Sequence, residues 1–144
     1  MPRKLRTSGL VGTSVAARVN AATGGDVYTT GGEAHLHIPP QGLAQDAVVT
    51  IAALPPEDVP DSLGIGTTRL SPGYQVSWGD ANLLKPGTVD LSFADAPAPL
   101  PGLPVLYVNT SGSEWTRIGG TVGAAERRVT APFRAAARYA LFVE

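Results

Sequence analysis

Apolar residues recur at every second position along most of this chain, which is the period of a strand with one buried face. Val15, Ala17 and Val19 alternate with Ala16, Arg18 and Asn20, and Thr23-Gly24-Gly25 ends that run. Over Glu33–Ile38, Ala34, Leu36 and Ile38 fall on one side and His35 and His37 on the other. Pro39-Pro40 stops this strand, because proline cannot donate to a sheet ladder. Gln41–Asp46 reads as a turn and Ala47–Leu54 as a second strong strand, with Val49, Ile51 and Ala53 on one parity. Thr67–Trp78 reads as a strand bent near Pro72-Gly73, and Thr88–Ala94 alternates Val89, Leu91 and Phe93 against polar neighbours. Val105–Asn109, Glu114–Ile118, Arg127–Pro132 and Ala137–Val143 complete the set, with Gly119-Gly120 as a turn. Phe133–Arg138 has room for one helical turn at most, and no internal repeat is visible.

About eight or nine short strands with turn signals every 8–12 residues predict an all-β protein, an antiparallel β-sandwich or barrel, and the sandwich is the expectation carried forward. The organisation expected is an extended arm over residues 1–14 and a single domain over residues 15–144. The parity of each strand assigns the core to Val19, Leu36, Ile38, Val49, Ile51, Tyr74, Val89, Leu91, Phe93, Leu106, Trp115, Tyr139 and Leu141.

Composition narrows the function more than the fold. The chain has 144 residues, enough for one domain with a real core. Its 17 glycines and 13 prolines suit short strands and tight turns. The absence of cysteine removes disulfide frameworks, cysteine-ligated metals and thiol catalysis. With 11 basic against 12 acidic residues, nothing argues for nucleic-acid binding. No run approaches 18 apolar residues, so no membrane span is expected. The start, Met-Pro-Arg-Lys-Leu-Arg, is charged like the head of a signal peptide, but Leu10–Ala22 contains Thr13, Ser14, Arg18 and Asn20 and runs into strand sequence. A signal peptide is not expected, which leaves a removed leader, a module of a larger protein, or leaderless export.

Two blocks carry a family resemblance. Gly31-Gly32-Glu33-Ala34-His35-Leu36-His37-Ile38-Pro39-Pro40-Gln41-Gly42-Leu43-Ala44, followed by the strand Val48–Leu54, resembles the opening of ZU5 domains. Leu84-Lys85-Pro86, Val89–Phe93, Leu106-Tyr107, Glu114-Trp115 and the closing Arg138-Tyr139-Ala140-Leu141-Phe142 are similar to their later strands. The likeness spans residues 15–143 in short pieces. It implies a ZU5-like β-sandwich used for protein–protein contact in scaffolds and bacterial surface proteins. Some members cut their own chain at His-Phe-Ser just before the closing tyrosine. Here Ala135, Ala136 and Ala137 fill that tripeptide, and Ala137 replaces the serine nucleophile. The resemblance therefore implies no self-cleavage.

Other candidate chemistry is sparse. His35 and His37 share a strand face about 7 Å apart, a spacing open to two metal ligands, but no motif supplies a third; a polar face of two neutral imidazoles is the expectation. Gly64-Ile65-Gly66 lacks the rest of a dinucleotide loop. Gly12-Thr13-Ser14-Val15-Ala16 is a near miss for a nucleophile elbow. Glu57, Asp58 and Asp61 read as a solvated acidic turn rather than a calcium loop. Asn109-Thr110-Ser111 is a formal glycosylation sequon. No cofactor is expected. Arg3, Lys4, Leu5, Arg6, Leu10 and Val11 give the arm charged and apolar anchors for contact with neighbouring copies. The function expected is a non-enzymatic structural or interaction module at a cell surface or in an extracellular assembly. Its partner is another protein or further copies of itself. The alternative is a self-assembling subunit of a filament, sheath or capsid-decorating layer.

Overall fold

The computed structural model describes residues 14–64, 66–96, 99–100, 102–110 and 114–144. Within them twelve strands build two antiparallel sheets. In chain order these are β1 (Ser14–Val19), β2 (Gly25–Tyr28), β3 (Ala34–Ile38), β4 (Ala47–Ala53), β5 (Thr68–Arg69), β6 (Tyr74–Ser77), β7 (Gly87–Ser92), β8 (Pro104–Asn109), β9 (Thr116–Gly119), β10 (Thr121–Gly123), β11 (Arg128–Phe133) and β12 (Ala137–Val143). One sheet runs β9-β8-β12-β6-β4-β1, with β5 beside β12. The other runs β10-β11-β7-β3-β2. The all-β, sandwich-like architecture agrees with the alternation.

Three short elements were not legible in the pattern. β2 starts at Gly25 and has only four residues, too few to show a period, and β10 has only three. The bent Thr67–Trp78 segment resolves into β5 and β6, both paired to the same side of β12. The bend between them is fixed by Ser71, whose hydroxyl accepts the Leu141 N–H at 2.9 Å. The only helical turn is a 3-10 turn at Pro56–Asp58, among the described residues.

The core lies between the sheets. β7 buries Gly87, Val89 and Leu91 and turns Thr88, Asp90 and Ser92 outward; β3 buries Ala34, Leu36 and Ile38 and turns out both histidines. Every residue assigned to the core is buried except Trp115. That assignment needs correction. Trp115 is half-buried in a second apolar cluster with Val59, Val105, Tyr107, Ala140 and Phe142. Its ring meets Phe142 edge-on, centroids 5.9 Å apart. The cause is the proline-rich segment around Leu54–Leu63, which packs over the outer face of the larger sheet. β8 and β12 are thereby covered on both faces, so their burial does not alternate.

Glycine matters most at Gly24, between β1 and β2. Its φ is +71°, and a Cβ there would lie 2.2 Å from the Ile38 carbonyl oxygen. Only a residue without a side chain lets that turn close against the end of β3.

Candidate functional site

Titratable groups gather on the outer face of the five-stranded sheet. The β2–β3 hairpin turns at Thr29–Ala34, where the Thr29 hydroxyl donates to Glu33 Oε1 (2.9 Å) and accepts the Ala34 N–H (3.0 Å). Its register sets Asp26 opposite His37 and Tyr28 opposite His35, all facing out while Val27 and Leu36 face in. β7 then places Asp90 opposite His35 and Thr88 opposite His37. From β11, the Arg128 Nε–H donates to Asp90 Oδ1 at 2.7 Å.

One carboxylate oxygen organises the group. Asp26 Oδ1 lies 2.8 Å from His35 Nε2 and 2.9 Å from His37 Nδ1. The hydrogen bond from His35, then that from His37, holds the Asp26 carboxyl below the ordinary aspartate value. An ionised carboxylate only accepts, so both nitrogens facing it carry protons. That fixes His35 as the Nε2–H form and His37 as the Nδ1–H form whenever each ring is neutral. Tyr28, 55% exposed, stacks on His35 at 4.2 Å with the rings 5° from parallel. The far nitrogen of His35 is 3.9 Å from Asp90 Oδ2.

The chemistry available is that of recognition by fixed polar groups. Asp26, His35, His37, Asp90 and Arg128 form a continuous row of polar and charged groups, anchored on four neighbouring strands. Both histidines spend the nitrogen that faces Asp26 on a hydrogen bond. Among the described residues, no group of three or more histidine, aspartate or glutamate side chains is arranged to hold a metal ion.

The other candidates lie elsewhere. Ala137 opens β12, buried opposite Val76. The Ala135 carbonyl accepts the Tyr139 hydroxyl at 2.7 Å, and burial pushes that phenol up to about 12. Arg3, Lys4, Leu5, Arg6, Leu10 and Val11 lie outside the described residues. Glu57 and Asp58 are exposed on the 3-10 turn. Arg69 anchors this loop by donating to the Pro56 and Val59 carbonyls and pairing with Asp61 at 3.3 Å. Two clefts, of about 340 and 310 Å³, share the Arg69–Pro72 bend. In the second, burial and the nearby Glu33 and Asp95 carboxylates push the Tyr74 phenol up to about 12.

Sequence reasoning found the two histidines but missed Asp26, Tyr28, Asp90 and Arg128. The Gly31-Gly32 turn was the usable signal, since a hairpin closing there brings Gly25–Tyr28 beside the histidine strand. No family model matches the chain, and no curated protein matches it.

Proposed function

We propose that this chain is a ZU5-like, non-enzymatic β-sandwich module of a cell-surface or extracellular assembly, acting by protein contact. The observation that supports it most directly is the rigid row Asp26, His35, His37, Asp90 and Arg128. Groups held by cross-strand pairing lose little further freedom when a partner arrives. A polar, partly aromatic patch of this kind suits the rim of a protein interface.

A second reading rests on a different placement. Residues 1–13 lead directly into β1, which among the described residues is an edge strand of the larger sheet, and this suits a self-assembling subunit whose arm contacts neighbours. Light scattering on the pure chain separates the two. Small, discrete species are the expected result; large regular particles would replace the module with the filament, sheath or capsid-layer subunit. Surface biotinylation of intact source cells should label the chain, whereas recovery confined to the cytosol would refute the location.

A further inference from the structure

Among the described residues, the strand orders end at β1 and β9 on the larger sheet and at β2 and β10 on the smaller, with the two-residue β5 beside β12 off that order. Edges invite pairing with another chain unless they are short, charged, kinked or covered. β10 has three residues, β2 has four with Asp26 among them, and β9 breaks register between Arg117 and Gly119. β1 carries none of these protections in full. Its six residues pair with β4 without a break, from Ser14 opposite Ala52 to Val19 opposite Ala47. It holds no glycine or proline, and its one charge, Arg18, is paired with Asp46 at 3.3 Å. Val15 and Ala17 pack against the core while half-buried, with no strand on their outer flank among the described residues.

We infer that β1 is a dimerisation edge, which pairs antiparallel with β1 of a second copy about a two-fold axis at Ala17. The inference deepens the module reading by naming the partner. Opposed residues in an antiparallel pair point to the same face. A symmetric pair that keeps both cores on one side must therefore centre on a residue, Ala16 or Ala17, and not between them. Centring on Ala17 sets Val15 opposite the partner's Val19 on the inner face and Ala17 opposite the partner's Ala17, so every inward residue of the strand is covered. On the outer face Arg18 meets the partner's Ala16, so no like charges face each other. The two Arg18 side chains sit diagonally, each already paired with its own Asp46. The sequence Val-Ala-Ala-Arg-Val is thus complementary to itself in this register. Centring on Ala16 leaves Val19 without an opposed strand residue.

The register gives the test. Directly opposed residues have Cα atoms about 4.5–5.5 Å apart, inside the range of about 4.4–6.8 Å that a disulfide spans. The chain has no native cysteine. Full-length Ala17→Cys should therefore form a covalent dimer under mild oxidation. Ala16→Cys should not, because Ala16 lies diagonally from the partner's Ala16 at about 7–8 Å. In sedimentation equilibrium, Ala16→Glu should tighten the dimer and Ala16→Arg weaken it, each by about 5-fold, since the new charge meets Arg18 twice by symmetry. Ala16 is exposed, so circular dichroism should show both variants folded. Cross-linking at 16 but not 17, no cross-link at 17, or equal affinities for the Glu and Arg variants would each refute the edge pairing. Cross-linking at 17 only after deletion of residues 2–12 would refute it for the full chain and assign the edge to the chain's own arm. A small folded monomer leaves the module reading standing without the dimer, whereas large particles defeat the module reading itself.

Discussion

Asp26 does more for the shape of the polar face than its exposure suggests, because one of its oxygens settles the orientation of two imidazoles. Its folded pKa is lowered, so it adds stability that is present above the ordinary value of 3.8 and lost as pH falls through the lower folded value. Asp26→Asn should thus cost stability at pH 6, and the difference from the parent should shrink toward pH 3. Being largely exposed and screened, the effect at pH 6 should be about 1 kcal/mol or less. Urea unfolding at the two pH values checks this; a difference that grows on acidification would contradict it. Ile51 marks the opposite extreme, fully enclosed between the sheets. Ile51→Ala should cost ~2–5 kcal/mol. A loss below about 0.5 kcal/mol in the same assay would mean this position is not in the core. The alternation reads such residues correctly because one face of β4 meets the core. It misplaces Trp115 because the larger sheet also buries apolar side chains on its outer face, a layer that a period of two cannot reveal.

The β2–β3 hairpin shows where a strand pattern stops carrying information. Gly25–Tyr28 has four residues and only one buried side chain, Val27, so nothing in it repeats. Two of the residues that shape the polar face, Asp26 and Tyr28, were hidden for that reason, whereas His35 and His37 sat in a run long enough to show its faces. The hairpin's entry depends on Gly24, where an added Cβ would strike both the Ile38 carbonyl and Pro39. Gly24→Ala should destabilise by more than about 2 kcal/mol, since it combines backbone strain with a main-chain clash. Because the displaced turn carries Asp26, the histidine side-chain NMR signals should also shift in whatever folded protein remains. A near-neutral melting temperature with unchanged histidine signals would show that the turn has another way to close. By contrast Gln41, exposed at φ +61°, pays the left-handed cost without such contacts. Gln41→Gly should be neutral or stabilising by up to ~1 kcal/mol in thermal melts; a clear loss would reveal a role for its side chain.

For the whole molecule, the expectation most open to a simple check is chemical persistence. Ala137 offers no hydroxyl to attack the bond before it, although it begins β12 close to the Ala135–Tyr139 hydrogen bond. Intact mass spectrometry after days at neutral pH should show one uncut chain, and a break between Ala136 and Ala137 without protease would overturn the expectation that the chain does not cut itself. The layered architecture was legible in the sequence because turn residues punctuate apolar runs throughout. The order of strands was not, since pairing depends on contacts between segments far apart in the chain. Nor was the function of the Leu54–Leu63 loop as a lid over the larger sheet: its acidic residues suggest solvent, while Leu54, Val59 and Leu63 do the packing.

The position of β12 has a consequence for how the protein is made. It sits inside the larger sheet, bonded to β8 on one side and to β5 and β6 on the other. A ribosome delivers the strands in numerical order, so the sheet's interior strand arrives after both of its flanks. Until residues 137–143 emerge, the β8–β9 ribbon and the β6-β4-β1 ribbon have no seam between them. The nascent chain then shows two open apolar edges, at Leu106 and at Val76, of the kind that chaperones bind and that stick to neighbouring chains. Folding of this sandwich therefore waits for β12 and is a collective event rather than a strand-by-strand one.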